Sequence, residues 1–272
     1  MKKLYLVVLF FMFVHLAMAQ KSSFRFGTGY HFSTAGQTLL NINLYNNYAS
    51  SSRKVDASLG RGIRLTAGYQ HWLRSWFGFA VDVDYARTAP PVKGSTHTNS
   101  IDYNYSEETK WKSDQFFIIP SMVFKIAGNK LNPWASFGVI VPAYGRLRTN
   151  VAYTTSGFGP GQSGISKRTV TVKHTLGASS SLGIAPSINK HLTFFTALQI
   201  RAISIQAKKM TTTSDLLNGV EQIDTYSRSA KETIYVRKLK YQLYDSDQPR
   251  KETGYSLPFS SVGIIAGLQI NL

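Results

Sequence analysis

SLPFSSVGIIAGLQINL, residues Ser256 to Leu272, decides the fold class. From Val262 onward the even positions are Val262, Ile264, Ala266, Leu268, Ile270 and Leu272. The odd positions carry Gly263, Gly267, Gln269 and Asn271, with Ile265 the one exception. Successive side chains of a strand point to opposite sides of the pleat, so a period of two gives one apolar face and one small or polar face. As the open edge of a soluble sheet such a segment is an aggregation hazard. In a closed barrel it pairs with the first strand, and the sequence predicts a seam of that kind, leaving no room for anything after it.

The same alternation recurs upstream. Phe24, Phe26, Thr28, Tyr30 and Phe32 share a face opposite Ser23, Arg25, Gly27, Gly29 and His31. A second strand runs from about Gly60 to His71 with Ile63, Leu65, Ala67 and Tyr69 together, and Trp72 to Trp76 turn tightly into a third with Phe77, Phe79, Val81, Val83 and Tyr85 outward. The fourth, about Trp111 to Ile126, contains Pro120, which cannot donate to a ladder and belongs at a bulge or edge. The fifth spans about Trp134 to Arg148, the sixth Thr169 to Ile184, and the seventh His191 to about Ile205. With the terminal strand the count is eight.

Connections alternate long and short. Ser33–Ser58, Thr88–Lys110, Thr149–Arg168 and Gln206–Tyr255 are long and polar, whereas the turns at 72–76, 127–133 and 185–190 are short. A transmembrane barrel has short turns on one side of the membrane and long loops on the other, and its strands need about 9–11 residues to cross. An even strand number puts both termini on the short-turn side. Trp72, Trp76 and Trp134 fall beside short turns, where a periplasmic aromatic girdle is expected, and Trp111 falls at the loop end. The fold class predicted is all-β: an eight-stranded antiparallel up-and-down transmembrane β-barrel with long extracellular loops and short periplasmic turns.

The N-terminus sets the compartment. Lys2 and Lys3, the apolar run Leu4–Leu16 and the small-x-small site Ala17-Met18-Ala19 predict a signal peptide cleaved after Ala19, giving residues 1–19 as signal and 20–272 as the barrel domain. The apolar run is shorter than the roughly 20 residues of a spanning helix. The chain has no cysteine, so neither a disulfide framework nor an acylated cysteine can hold it. Without Lys2 and Lys3 it carries 29 basic and 14 acidic residues, net +15. Outside the cytoplasm that excess suits phosphorylated lipid and lipopolysaccharide, and the absence of an Arg-rich helix or aromatic RNA-binding motif argues against nucleic acid.

The signal ending in Ala19-Gln20, the eight amphipathic strands and the terminal PFSSVGIIAGLQINL together resemble the small outer-membrane β-barrel proteins of Gram-negative bacteria, of the OmpA-barrel, OmpX and OmpW type. The resemblance covers essentially the whole mature chain and is architectural. It implies an outer-membrane location and recognition of the last strand, with Val262, Ile264, Leu268, Ile270 and Leu272, by the barrel-assembly machinery. Leu272 stands where such strands usually end on an aromatic.

The alternation assigns Arg25, Arg64, Asp82, Asp84, Lys173 and Arg201 to the inner face, and Arg146 with them. Charges in so narrow an interior need partners, so a lumenal salt-bridge network is expected. The other reading of the same residues is a small channel or transporter for polar or anionic solutes. A lipid-active enzyme would need a nucleophile and base, but no spacing among His31, His174 and the serines and aspartates singles out a triad. The histidines, His97 included, show no metal-ligand spacing, and Gly157–Gly161 lacks the strand-to-helix setting of a phosphate loop, so no cofactor is expected. Thr233–Tyr244, TIYVRKLKYQLY, is strand-like and predicts an extracellular β-extension over the barrel mouth or, failing that, another crossing. Lys208 to Tyr255 holds nine basic and seven acidic residues. The function expected is a non-enzymatic structural or surface-binding role through loops that meet lipopolysaccharide or an extracellular ligand. A soluble lipocalin-like barrel is the architectural rival, and it requires the opposite polarity.

Overall fold

The computed structural model describes residues 22–34, 38–46, 49–56, 58–99, 103–126, 131–157, 161–173, 175–238 and 245–272. The signal segment 1–19, His174, the glycine-rich tip at 158–160 and residues 239–244 lie outside that set. Eight strands make the wall: β1 Ser22–Ser33, β2 Gly62–Trp72, β3 Phe77–Thr88, β4 Tyr103–Lys125, β5 Pro133–Gly157, β6 Gly177–Ile184, β7 Leu192–Ala202 and β8 Ser261–Asn271. Each pairs antiparallel with the next. The terminal strand then closes on the first, from Ser23↔Asn271 to Ser33↔Ser261, and the ring is complete. Closure satisfies the backbone of both end strands, so the apolar seam is no edge.

Polarity follows the period of two. Phe26, Leu65, Val83, Ile118, Phe137, Leu182, Leu198 and Leu268, one from each strand, are exposed on the outside. Arg25, Arg64, Asp84, Gln115, Ser136, Ser181, Gln199 and Ser261 are buried within. A soluble barrel has its greasy side inward, and a belt of exposed aliphatic and aromatic side chains on all eight strands far exceeds the few hundred Å² a soluble surface tolerates.

Two strands outrun the wall. β4 has 23 residues and β5 has 25, and their upper halves pair with each other from Tyr103↔Gly157 down to Lys112↔Arg148. The strand Val92–Asn99 joins β4 on its free side, Gln162–Lys173 joins β5, and Ser204–Leu217 joins Gln162–Lys173. Glu232–Val236 then pairs with Lys209–Thr211 and runs parallel to Arg250–Thr253. The stretches Thr88–Lys110 and Thr149–Arg168, which composition presents as loops, are therefore largely sheet. Their Thr, Tyr and Val residues favour strands, but both faces are partly wet, so hydropathy does not alternate. Within Ser33–Ser58, Thr38–Asn46 and Ala49–Asp56 form a separate hairpin.

Two irregularities move residues from one face to the other. In β5 the register shifts at Ala143, because Phe116 pairs with Tyr144 and Phe117 with Pro142. Below this bulge Ser136 and Ile140 point in, whereas above it Leu147 and Val151 do, which turns Arg146 outward. The predicted sixth strand, Thr169–Ile184, is in fact two. Gln162–Lys173 ends before the wall strand β6 begins at Gly177, and above the break Val170 is buried while Lys173 pairs with outward Gln206. At Pro120 the pairing with β5 skips from Ile118 to Ser121, the cost of its missing N–H.

The interior is filled in three layers. At the turn end Ala80, Val123, Trp134, Phe195, Ala197 and Ile265 pack together. At the loop end Leu59, Phe117, Ile203, Ile205, Leu257 and Phe259 form an apolar plug that continues upward to Leu147, Val170 and Tyr235. Charged and amide side chains occupy the space between them.

Candidate functional site

The charged layer is built across the ring. Arg201 on β7 reaches Asp84 on β3, four strands away on the opposite wall, with Nη1 donating to Oδ2 at 2.6 Å. Arg64 on β2 donates to the same oxygen at 3.4 Å and to the Gly60 carbonyl at 2.8 Å, and the Thr66 hydroxyl donates to Asp84 Oδ1 at 2.9 Å. Gln199 accepts from Arg201 Nε at 3.0 Å and donates to Ser181 at 3.3 Å. The Arg64 guanidinium also lies 5.9 Å from the Phe117 ring centre and 5.5 Å from that of Phe259, a cation held between two aromatic faces. Arg64 and Asp84 are 1% and 0% exposed, so the cluster is a dry one with two guanidinium groups to one carboxylate.

One layer toward the turns, Arg25 Nη2 donates to both oxygens of Asp82 at 2.8 and 2.7 Å. Register explains the reach: Arg25 stands opposite Gly68, and Gly68 opposite Asp82. A Cβ on Gly68 would collide with Asp82 Oδ1, so glycine at this position lets the pair meet across an intervening strand. The structure thus brings Arg25, Arg64, Asp82, Asp84 and Arg201 together inside the ring. Lys173 and Arg146, assigned inward by simple alternation, lie outside it for the reasons of strand break and bulge given above.

Charge within and hydrocarbon without, on a closed ring of eight antiparallel strands, is decisive. The chain has the architecture of a small outer-membrane β-barrel. No family model matches the sequence, and no curated protein matches it. Among solved structures the chain is similar to Ail, the attachment invasion locus protein of Yersinia pestis, at 10% identity over 92% of this chain and 97% of that one with a TM-score of 0.30. It is likewise similar to Ail in complex with the heparin analogue sucrose octasulfate, at 9% identity with the same coverage and TM-score. The architecture rests on the closed ring itself.

The tryptophans of this barrel divide between its two sides. Trp76 is 54% exposed and lies against Phe77 and Phe124, with Phe137 next to Phe124. Trp134 instead points inward at 8% exposure, because its even position on β5 falls below the bulge, and the Arg25 guanidinium sits 5.7 Å from its ring centre. Trp72, on the inner face of β2, packs against the turn-end cluster. The outer aromatic set at the turns is thus Trp76, Phe77, Phe124 and Phe137. A matching row at the loop end, Tyr85, Phe116 and Tyr144, lies with ring centres 4.9 and 6.5 Å apart. Sequence reasoning follows tryptophan and misses these side chains, although the outward parity of Phe77, Phe124, Phe137, Tyr85 and Phe116 is visible; Tyr144 shares the parity of Arg146 and is turned outward by the bulge.

Immediately above that row stands a basic face. Arg87 and Arg148 flank Asp114 at 3.8 and 3.6 Å, Asp114 pairs in register with Arg146, and Lys112 with Arg148. In the terminal strand Ile264, Leu268, Ile270 and Leu272 are outward and exposed, Val262 shares their side, and Ile265 joins the interior cluster.

A histidine and a serine meet in the interior. His31 Nδ1 and Ser261 Oγ lie 3.1 Å apart, but Asp84 is taken by the arginines and Thr66, and all three residues are fully buried beneath the loop-end plug. Among the described residues no group of three His, Cys, Asp or Glu side chains is placed to hold a metal.

Proposed function

We propose that this chain is an integral outer-membrane β-barrel protein, exported by residues 1–19 and folded by the barrel-assembly machinery, whose role is structural and surface-binding rather than enzymatic or conductive. The observation that carries the reading is a barrel turned inside out and blocked across its middle. The exposed belt needs lipid, and the three interior layers leave a mid-lumen cavity of only about 20 Å³. Room for about one water is no path for a solute, which favours this reading over a channel.

Surface work then falls to the loop-end sheet. Arg87, Lys112, Arg146 and Arg148 stand where the belt meets water, with Asp114 as the acid between them. Four guanidinium or ammonium groups at that height suit the phosphates of lipopolysaccharide, and the sheet above them suits an extracellular ligand. The test is fractionation of cells making the full chain. The protein is expected in the outer-membrane fraction, with an unboiled gel band that shifts on heating and with external protease cutting the loop-end sheet while sparing the wall. Recovery as a soluble periplasmic protein would sink the reading, and discrete conductance in a planar bilayer would restore the channel.

A further inference from the structure

The turn end of the barrel holds a blind cavity of about 300 Å³. Its floor is the turn-end apolar cluster with the Arg25–Asp82 pair. Trp72, Trp134 and Phe195 supply flat apolar wall, and Arg25, Lys125 and Lys190 bring positive charge. The Lys125 ammonium lies 4.2 Å from the Trp72 ring centre, an arrangement that holds the cation at the rim. The Trp134 indole N–H is buried in the same wall without a hydrogen-bond partner. Among the described lining residues there is no acidic side chain, and Arg25 is already held by Asp82, so Lys125 and Lys190 leave the balance positive.

The volume lies at the lower end of the roughly 300–1,000 Å³ typical of small-molecule pockets, and the lining combines aromatic wall with a few charged and amide groups as such pockets do. A solute path would need an exit at the far side, but the interior above is filled. We propose that this vestibule binds a small organic anion carrying one planar apolar group. Its carboxylate or phosphate is held by Lys125 and Lys190 and its flat part lies between Trp72 and Trp134. The site does not depend on which compartment the turns face, so the barrel can be an outer-membrane protein with or without it.

The test uses the complete folded barrel in detergent micelles and the chain's four tryptophans. Their indole N–H resonances are assigned by Trp→Phe at positions 72, 76 and 111, with Trp134 following by elimination. The probes are sodium benzoate and, as a neutral isostere, benzamide. Benzoate is expected to move the Trp72 and Trp134 resonances saturably while Trp76 and Trp111 stay put. Lys125→Gln, with Lys190→Gln as a second variant, is expected to raise the half-saturating concentration about tenfold, the scale of one charge-assisted hydrogen bond. The heat-shifted gel band checks that each variant is folded. No saturable movement, equal response to benzamide, a common drift of all four resonances, or an unchanged titration in both lysine variants would overturn the proposal.

Discussion

Asp84 is the interior's electrostatic keystone, and replacing it by alanine measures how the barrel is filled. The carboxylate is fully buried and neutralises Arg201 at 2.6 Å while also meeting Arg64 at 3.4 Å. Removing one member of a buried ion pair costs about 3–5 kcal/mol, because the partner's charge stays desolvated and unpaired. Here two guanidinium groups are stranded, so Asp84→Ala is expected at the upper end of that range, a large share of a typical stability of about 5–15 kcal/mol. The charge imbalance predicts an asymmetry. Arg64→Met removes the surplus cation and leaves Arg201–Asp84 as a neutral pair, so its cost, from the Gly60 hydrogen bond and the two ring faces, is about 1–2 kcal/mol. The assay is urea unfolding in lipid vesicles, followed by tryptophan fluorescence and by the unboiled gel band. A loss below about 1 kcal/mol for Asp84→Ala, or an Arg64→Met cost equal to or greater than it, would refute the reasoning.

Other perturbations probe the belt, the packing and the loop-end sheet. Val83, outward near the middle of β3, should cost about 2–4 kcal/mol when replaced by arginine in a bilayer, as read by the same urea titration, since a charge there meets hydrocarbon. Gly68→Val should cost about 1–3 kcal/mol by displacing the Asp82 carboxylate, and a double-mutant cycle should show the penalty shrinking in an Asp82→Ala background. In the loop-end sheet the Lys209 ammonium, hydrogen-bonded at 2.5 Å, and then Arg228 at 3.2 Å hold the Glu232 carboxyl below the usual carboxylate range. A folded-state pKa lowered in this way stabilises fully above the ordinary value of about 4.3 and is lost as pH falls through the lowered one. Hydrogen-exchange protection of Thr233–Val236 should therefore drop on acidification from about pH 5 to 3 while the wall strands hold theirs; equal protection across that window would contradict the docking described.

Much of the wall is legible in the sequence because the physics there is binary. A strand between lipid and a filled lumen must alternate, and Phe24 to Phe32 and Val262 to Leu272 do so nearly without exception. Legibility ends where that constraint relaxes. The upper halves of β4 and β5 bury Thr109, Trp111 and Val151 on one side, but polar residues sit on both faces and hydropathy does not alternate, so Tyr103–Lys112 and Arg148–Gly157 look like loops although they are ladder-paired. One extra residue at Ala143 turns Arg146 outward, and the break between Lys173 and Gly177 does the same to Lys173. Neither irregularity leaves a mark on composition. Trp134 shows a different limit: a tryptophan near a turn suggests an interface, but its parity with Ser136 and Ile140 places it inside. The arginines Arg25, Arg64 and Arg201 are visible as inner-face charges, whereas which acid meets which arginine across the ring depends on a diameter that no single strand records.

The central claim is the direction in which the barrel faces, and the terminal strand tests it residue by residue. Because the chain has no cysteine, single cysteines at successive positions from 262 to 270 can carry a nitroxide label without background. In a bilayer, labels at 262, 264, 266, 268 and 270 should collide readily with dissolved oxygen and poorly with a water-soluble nickel chelate, while labels at 263, 265, 267 and 269 should be shielded from oxygen. That oscillation with a period of two, apolar side to lipid, is the result the structure predicts. An oscillation of the opposite phase, or a uniform response along the strand, would contradict it.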